Sequence, residues 1–203
     1  MVNTYLAHDL LWGMTPEQLP ADAPVWVIDS IRAGQPVVVR RALSTPGQIA
    51  VGVRGRLREQ RYATLMSVEA IQRCVRPEDL CHVSIDRDLP AAHALNQLRP
   101  MLDGCGWGWG VSGSAGFELA SGLQALHAGS DLDLILRTPR PLDRLSAQQL
   151  VSLLDAAACQ VDMQLQTPFG AVALREWAGP ARRVLLKSAR EACLVMDPWE
   201  HAA

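Results

Sequence analysis

Two aspartates one residue apart, Asp131 and Asp133, stand at the head of the apolar run Leu134-Ile135-Leu136, with Leu132 between them. On an extended strand residues i and i+2 point the same way, with Cα atoms about 6.5 to 7 Å apart. Both carboxylates would then leave one face while Leu132 and Leu134 enter the core. Like charges held side by side are unfavourable unless a cation neutralises them, and hard oxygen donors select Mg²⁺ or Mn²⁺ over softer metals. Asp162 repeats the pattern within Val161-Asp162-Met163-Gln164-Leu165. If its strand lies beside the first, three carboxylates converge, enough for one or two divalent ions about 3.5 to 4 Å apart. The bland alternative is a strand edge with solvated acids.

Upstream, Val111-Ser112-Gly113-Ser114 ends a strand pattern and opens a helix pattern. Glycine lets a backbone approach a ligand closely, and the N–H groups at a helix N-terminus attract phosphate oxygens. Gly113 and Ser114 are therefore candidate phosphate-binding residues, and Ser130, directly before the acidic pair, joins them as a substrate-binding candidate. In such a site a triphosphate is bridged by metal, pyrophosphate leaves toward the Gly-Ser turn and a hydroxyl attacks in line.

Positioning these groups requires particular elements. Pro24–Ile28, Pro36–Val39 and Ile49–Val53 are β-type runs separated by Gly, Pro and charge. The stretch from Ser67 to Arg73 has a helical pattern, with Ser67 as N-cap and Pro77 beyond its end. Ala91–Leu102 is a second helix, entered after Pro90. Trp107, Trp109 and Val111 share one face at strand spacing, which suits core or interface more than stacking on a base. Ala115–Leu126 has helical character, and Ser146 with Gln149 forms a capping-box pattern before the amphipathic run Leu150, Val151, Leu153, Leu154. Val161–Leu165 is a strand, and Thr167-Pro168-Phe169-Gly170 turns the chain. The expected class is α+β: a small N-terminal α/β unit over residues 1–90, followed over 91–203 by a mixed-sheet domain with helices packed on one side.

Composition narrows the class. The 203 residues are 49% apolar, enough for a substantial core, yet no apolar run approaches the roughly 20 residues of a membrane span. No basic-then-apolar leader pattern opens the chain, so a cytoplasmic protein is expected. Five cysteines, at 74, 81, 105, 159 and 193, form no Cys-x-x-Cys pair and suit free thiols. A formal net charge of -2 argues against nucleic acid as a partner. Arginines nevertheless crowd the first third (40, 41, 54, 56, 58 and 61), and Arg182, Arg183, Lys187 and Arg190 form a second basic group at partial helical spacing over Ala181–Ala192. From these, Arg54 and Lys187 are taken as candidate phosphate or carrier contacts. His82, His93 and His127 lack ligand spacing. His8 reads as structural, with Asp9 as an N-cap ahead of buried Leu10, Leu11 and Trp12.

The order Gly113-Ser114, helix, Asp131-x-Asp133, and a later strand carrying Asp162 resembles the nucleotidyltransferase superfamily. Sixteen residues, 115 to 130, lie between Ser114 and Asp131, more than that superfamily usually places there. Further blocks, His8-Asp9-Leu10-Leu11-Trp12, Val51-Gly52-Val53-Arg54-Gly55 with Arg58, Gln60, Arg61 and Tyr62, and Ser130-Asp131-Leu132-Asp133-Leu134, extend the match over nearly the whole chain. They resemble the phosphoribosyl-dephospho-CoA transferases, the holo-acyl-carrier-protein synthases of malonate decarboxylase. The resemblance implies transfer of a 2′-(5″-phosphoribosyl)-3′-dephospho-CoA group from its triphosphate precursor, triphosphoribosyl-dephospho-CoA, to a serine of the malonate decarboxylase acyl carrier protein subunit. The same resemblance implies that pyrophosphate is released and that Asp131 and Asp133, matching the family's essential pair, carry the reaction. The wider superfamily pattern adds Gly113, Ser114 and Asp162. Two alternatives stay open: another nucleotidyltransferase moving NMP to a small molecule or protein, and a non-catalytic nucleotide-binding module.

Overall fold

A computed structural model describes residues 5–57 and 59–200; Arg58 lies outside the described residues. The chain forms two compact units, Met1–Arg76 and Pro77–Ala203. The division falls at 76/77, not at 90/91, and the reason is packing. The 3-10 turn Pro77–Leu80 lies on the Gly110 backbone, where a side chain would strike Pro77, and Glu78 pairs with Arg137. Residues 77–90 therefore belong physically to the second unit.

The first unit is an antiparallel sheet of β1 (Leu10–Trp12), β2 (Val37–Val39), β3 (Gln48–Arg54), β4 (Arg61–Ser67) and β5 (Arg73–Val75), in the order β4-β3-β2-β1-β5. Helix α1 (Val25–Arg32) packs on β3, and Leu11, Val27, Ile31, Val51 and Met66 form the core. The expected strand at Pro24–Ile28 is this helix. Its β-branched residues suggested a strand, but the buried positions Val27, Ser30 and Ile31 follow helical spacing, and Val25 is left exposed. Likewise Ser67 caps only a 3-10 turn, Val68–Ala70, before the chain extends into β5. There Leu11 aligns with Cys74 on the neighbouring strand, a pairing that overrides local helical pattern. Asp9 precedes strand β1 rather than a helix, and its carboxylate accepts the Leu6 N–H at 2.9 Å.

The second unit is a mixed sheet of β6 (Gly108–Val111), β7 (Leu132–Arg137), β8 (Val161–Thr167), β9 (Gly170–Ala173), β10 (Val184–Lys187) and β11 (Ala192–Val195), ordered β11-β10-β9-β8-β7-β6. Only β7 and β8 run parallel among these neighbours. Parallel strands need a crossover, supplied by α4 (Arg144–Leu154). Helices α2 (Pro90–Gly104) and α3 (Gly113–Ser121) pack on β7, and α5 (Leu174–Ala178) packs on α4 and on β8 to β10. One sheet face is apolar, with Trp109, Val111, Leu132, Leu134, Leu136, Val161, Met163 and Leu165 all buried on it. Helix α3 stops at Ser121, well short of Leu126, at a left-handed Gly122. The basic stretch 181–192 is no helix but the β10–β11 hairpin, because Val184 and Leu186 alternate into the core.

The α4 cap also differs from the capping-box expectation. Asp143 is the N-cap, accepting the Ser146 N–H at 2.9 Å and its hydroxyl at 2.7 Å. These two bonds hold the Asp143 carboxyl below its ordinary value. Asp143→Ala is therefore expected to lower the thermal unfolding midpoint more than Ser146→Ala. A folded-state pKa that is depressed contributes stability in full above the unfolded value and loses it as pH falls through the native one. The gap between Asp143→Ala and the parent should thus close in melts run at progressively more acid pH.

Candidate active site

The register of β7 on β8 builds the site. Asp133 lies directly opposite Asp162, and because paired residues of neighbouring strands share a face, both carboxylates rise from the face opposite the apolar one. Asp131, two residues ahead of Asp133, completes the group. One carboxylate oxygen from each of the three can be chosen so that all lie within 4.8 Å of one another, and each residue is half-buried. Three hard oxygen donors at this spacing suit a divalent cation such as Mg²⁺ or Mn²⁺.

The Gly-Ser turn is tied to the same strand. Beyond Val111 the β6–β7 ladder continues as Ser112 N–H to the Asp133 carbonyl at 2.9 Å. Ser112 is the N-cap of α3, and Gly116 N–H returns to its carbonyl at 2.8 Å. Gly113 has φ +61°, and a Cβ there would collide with the Asp133 carboxylate. Only glycine allows both the left-handed backbone and this contact. The Asp133 carboxylate consequently sits at the N-terminus of α3, where the helix dipole favours negative charge. Ser114 lies in the first turn of α3, inside the helix rather than at its cap.

Ser130, Lys187 and Arg54 each take their place from the turn or strand that carries them. Ser130 is buried: its hydroxyl accepts the His127 N–H at 3.0 Å and its own N–H reaches the His127 carbonyl at 3.0 Å, so it closes the turn that delivers Asp131. Lys187 aligns through Ala171 and Gln166 with Arg137. That row is four residues from Asp133, about 13 Å along the strands at roughly 3.3 Å per residue, and Lys187 is three strands across. The sheet does not bring it to the carboxylates. Arg54 ends β3 in the first unit, opposite Arg61.

Gln160, Cys159 and Glu118 gain their roles only in the fold. Gln160 Nε2 donates to both Asp162 carboxylate oxygens, at 3.2 and 3.3 Å. The Cys159 thiol is pushed up first by burial and then by the charge of Asp131. Glu118 is a buried acid in an otherwise apolar stretch of α3, and that one charge among Ala115, Gly116 and Phe117 was the available clue. Burial raises its pKa, but the N–H groups of Ala125 and Leu126 and the Arg87 guanidinium outweigh that and hold it low.

Comparison with known proteins now bears on this geometry. Residues 6–77 match the family model described as Phosphoribosyl-dephospho-CoA transferase MdcG N-terminal domain, and residues 79–198 match the corresponding C-terminal domain. The chain belongs to the phosphoribosyl-dephospho-CoA transferase family. Proteins of that name are 71% identical in Pseudomonas fluorescens Pf0-1, covering 98% of this chain and 97% of the relative. The relative in P. fluorescens Pf-5 is 66% identical over 96% and 94%. That in Azotobacter vinelandii DJ is 52% identical over 97% and 95%. No solved structure matches the chain. The two family matches meet where the structure divides the transferase into its units, and the acidic cluster lies wholly in the second.

Two outcomes are expected of the transferase. Mg²⁺ should raise the thermal midpoint of the parent, since a ligand that binds only the folded state stabilises it. Asp131→Asn and Asp133→Asn should lose that rise while their metal-free midpoints stay equal or climb, because a repulsive charge is gone. Gly113→Ala should cost about 1 to 3 kcal/mol in urea denaturation for its left-handed backbone. It should also depress transfer, because the new methyl displaces Asp133.

Proposed function

We propose that this transferase moves the 2′-(5″-phosphoribosyl)-3′-dephospho-CoA group from triphosphoribosyl-dephospho-CoA to a serine of the malonate decarboxylase acyl carrier protein, in the cytoplasm. The observation that carries the proposal is the convergence of Asp131, Asp133 and Asp162 beside the Gly113-Ser114 turn, in a chain whose relatives bear the transferase name. Asp131, Asp133 and Asp162 would hold Mg²⁺ or Mn²⁺, which when bound offsets the charge of the triphosphate and of its leaving pyrophosphate.

The remaining tasks fall to the chain's own groups. The carrier serine hydroxyl attacks the phosphorus nearest the ribose; a phosphodiester forms, the bond to pyrophosphate breaks and the serine proton passes to a carboxylate, in our assignment Asp162. Gln160, donating to both oxygens of Asp162, fixes its orientation for that transfer. The head of α3, held close to Asp133 by the left-handed Gly113, would lend its positive dipole end to the phosphate oxygens of the donor. No covalent enzyme intermediate is required, in keeping with a site built from carboxylates and backbone rather than an activated Ser or Cys.

Incubation of the transferase with Mg²⁺, the triphosphate precursor and apo carrier subunit, followed by intact mass spectrometry of the carrier, tests the proposal. The carrier should gain the mass of the prosthetic group and pyrophosphate should accumulate in equal amount. An unchanged carrier mass would sink it.

A further inference from the structure

The sixteen residues between Ser114 and Asp131 exceed what a short helix and turn require, since α3 occupies only Gly113–Ser121. What remains, from Gly122 to Ser130, has no regular structure, yet it must deliver Asp131 to the cluster. Asp131 itself precedes β7, whose first residue, Leu132, donates its N–H to the Gln160 carbonyl at 2.9 Å. Its placement therefore depends on the loop behind it.

One buried side chain organises that loop. Glu118 Oε2 accepts the Ala125 N–H at 2.7 Å and the Leu126 N–H at 2.8 Å. Arg87 Nη1 donates to both Glu118 oxygens, at 2.9 and 3.1 Å, and to the Leu126 carbonyl at 3.2 Å. Leu126 is buried, and directly after it the His127–Ser130 turn closes on its own hydrogen bonds, with Gly129 N–H on His127 Nδ1 at 3.1 Å. Rigid links thus run from α3 through Leu126 to Ser130, one residue from Asp131. An ion pair with one partner buried and the other part-exposed, as here, adds little to stability by itself. Its consequence here is geometric: a carboxylate accepting two N–H groups fixes a loop that a leucine would leave free.

We propose that Glu118, clamped by Arg87, is the positioning residue for Asp131, holding the 122–130 loop so that the third carboxylate meets Asp133 and Asp162. The proposal rests on the metal-binding reading of that cluster only for its effect on ion affinity; the effect on the loop is independent of it.

Two readouts on the full chain test it. Amide hydrogen exchange over 125–131 should quicken in folded Glu118→Gln, whose neutral amide is a weaker acceptor for the two N–H groups that share one oxygen and turns an NH₂ donor toward Arg87, releasing the clamp that also holds the Leu126 carbonyl. Titration with Mn²⁺ should show affinity about 10- to 100-fold weaker, as for other residues that orient ligands from behind. The double variant Glu118→Gln/Asp131→Asn should bind no more weakly than Asp131→Asn alone, because both changes remove the same ligand. General damage would instead give additive losses. Should Glu118→Gln fail to fold, Arg87→Lys, which keeps a charge but forfeits the shared contacts, must show the same exchange and the same non-additivity. Wild-type exchange over 125–131 in the folded variant, or additive Mn²⁺ losses, would overturn the assignment. If the parent binds no Mn²⁺, or Asp131→Asn binds it as the parent does, the metal reading fails while the exchange experiment still decides the role of Glu118.

Discussion

Parallel pairing of β7 with β8, in the register that sets Asp133 against Asp162, is the constraint on which the site depends. A slip of one residue would turn Asp162 to the apolar face and bury Gln164 where Met163 now packs. The register is held on that apolar face by Leu132, Leu134 and Leu136 alongside Val161, Met163 and Leu165, all almost wholly inaccessible. The carboxylates are thus aligned by hydrophobic packing on the opposite side of the sheet. Helix α4 makes the parallel arrangement possible, and Arg144 at its first position ties it to the α5 region through the carbonyls of Trp177 and Gly179.

Gathering three acids at one place costs free energy, and the surroundings act against that cost. The head of α3 lies against Asp133, and Gln160 donates to Asp162. Each residue is also half open to solvent, which keeps the repulsion moderate. In the proposed function a divalent ion would relieve the remaining repulsion. The same logic separates the reactive from the inert groups nearby: Cys81, buried against the Trp109 carbonyl, has its thiol pushed up to about 12 by burial and by the charges of Glu78 and Asp103, and serves as packing.

Membership of the phosphoribosyl-dephospho-CoA transferase family, over both units, accounts for blocks that a bare carboxylate site does not explain. Val51-Gly52-Val53-Arg54 ends β3, which lies between β4 and β2 in the first sheet, with Val51 and Val53 in its core. Leu10 and Leu11 form β1 between β2 and β5. These stretches are framework residues of the first unit, whereas the acidic pair lies in the second.

Short-range pattern made part of this legible. Alternation of acid and leucine placed Asp131 and Asp133 on one face, Gly-Ser marked a strand-to-helix turn, and Pro90 marked the start of α2, because such signals act between residues within a few positions. Where local preference and long-range pairing compete, sequence misleads: Val25–Ile28, with three β-branched residues, is helical because Ile31 completes a buried stripe, and the basic hairpin looked helical because its cations obscured the alternation of Val184 and Leu186. By itself, then, the sequence determined the acidic pair, its strand and the glycine turn, since each needs only neighbours along the chain. Tertiary structure alone decided that Asp162 lies opposite Asp133, that Lys187 stands apart, and that Glu118 and Arg87 govern the long approach to Asp131. Those relations are set by strand order, register and burial, which join residues as distant along the chain as Arg87 and Glu118 and leave no mark in local spacing.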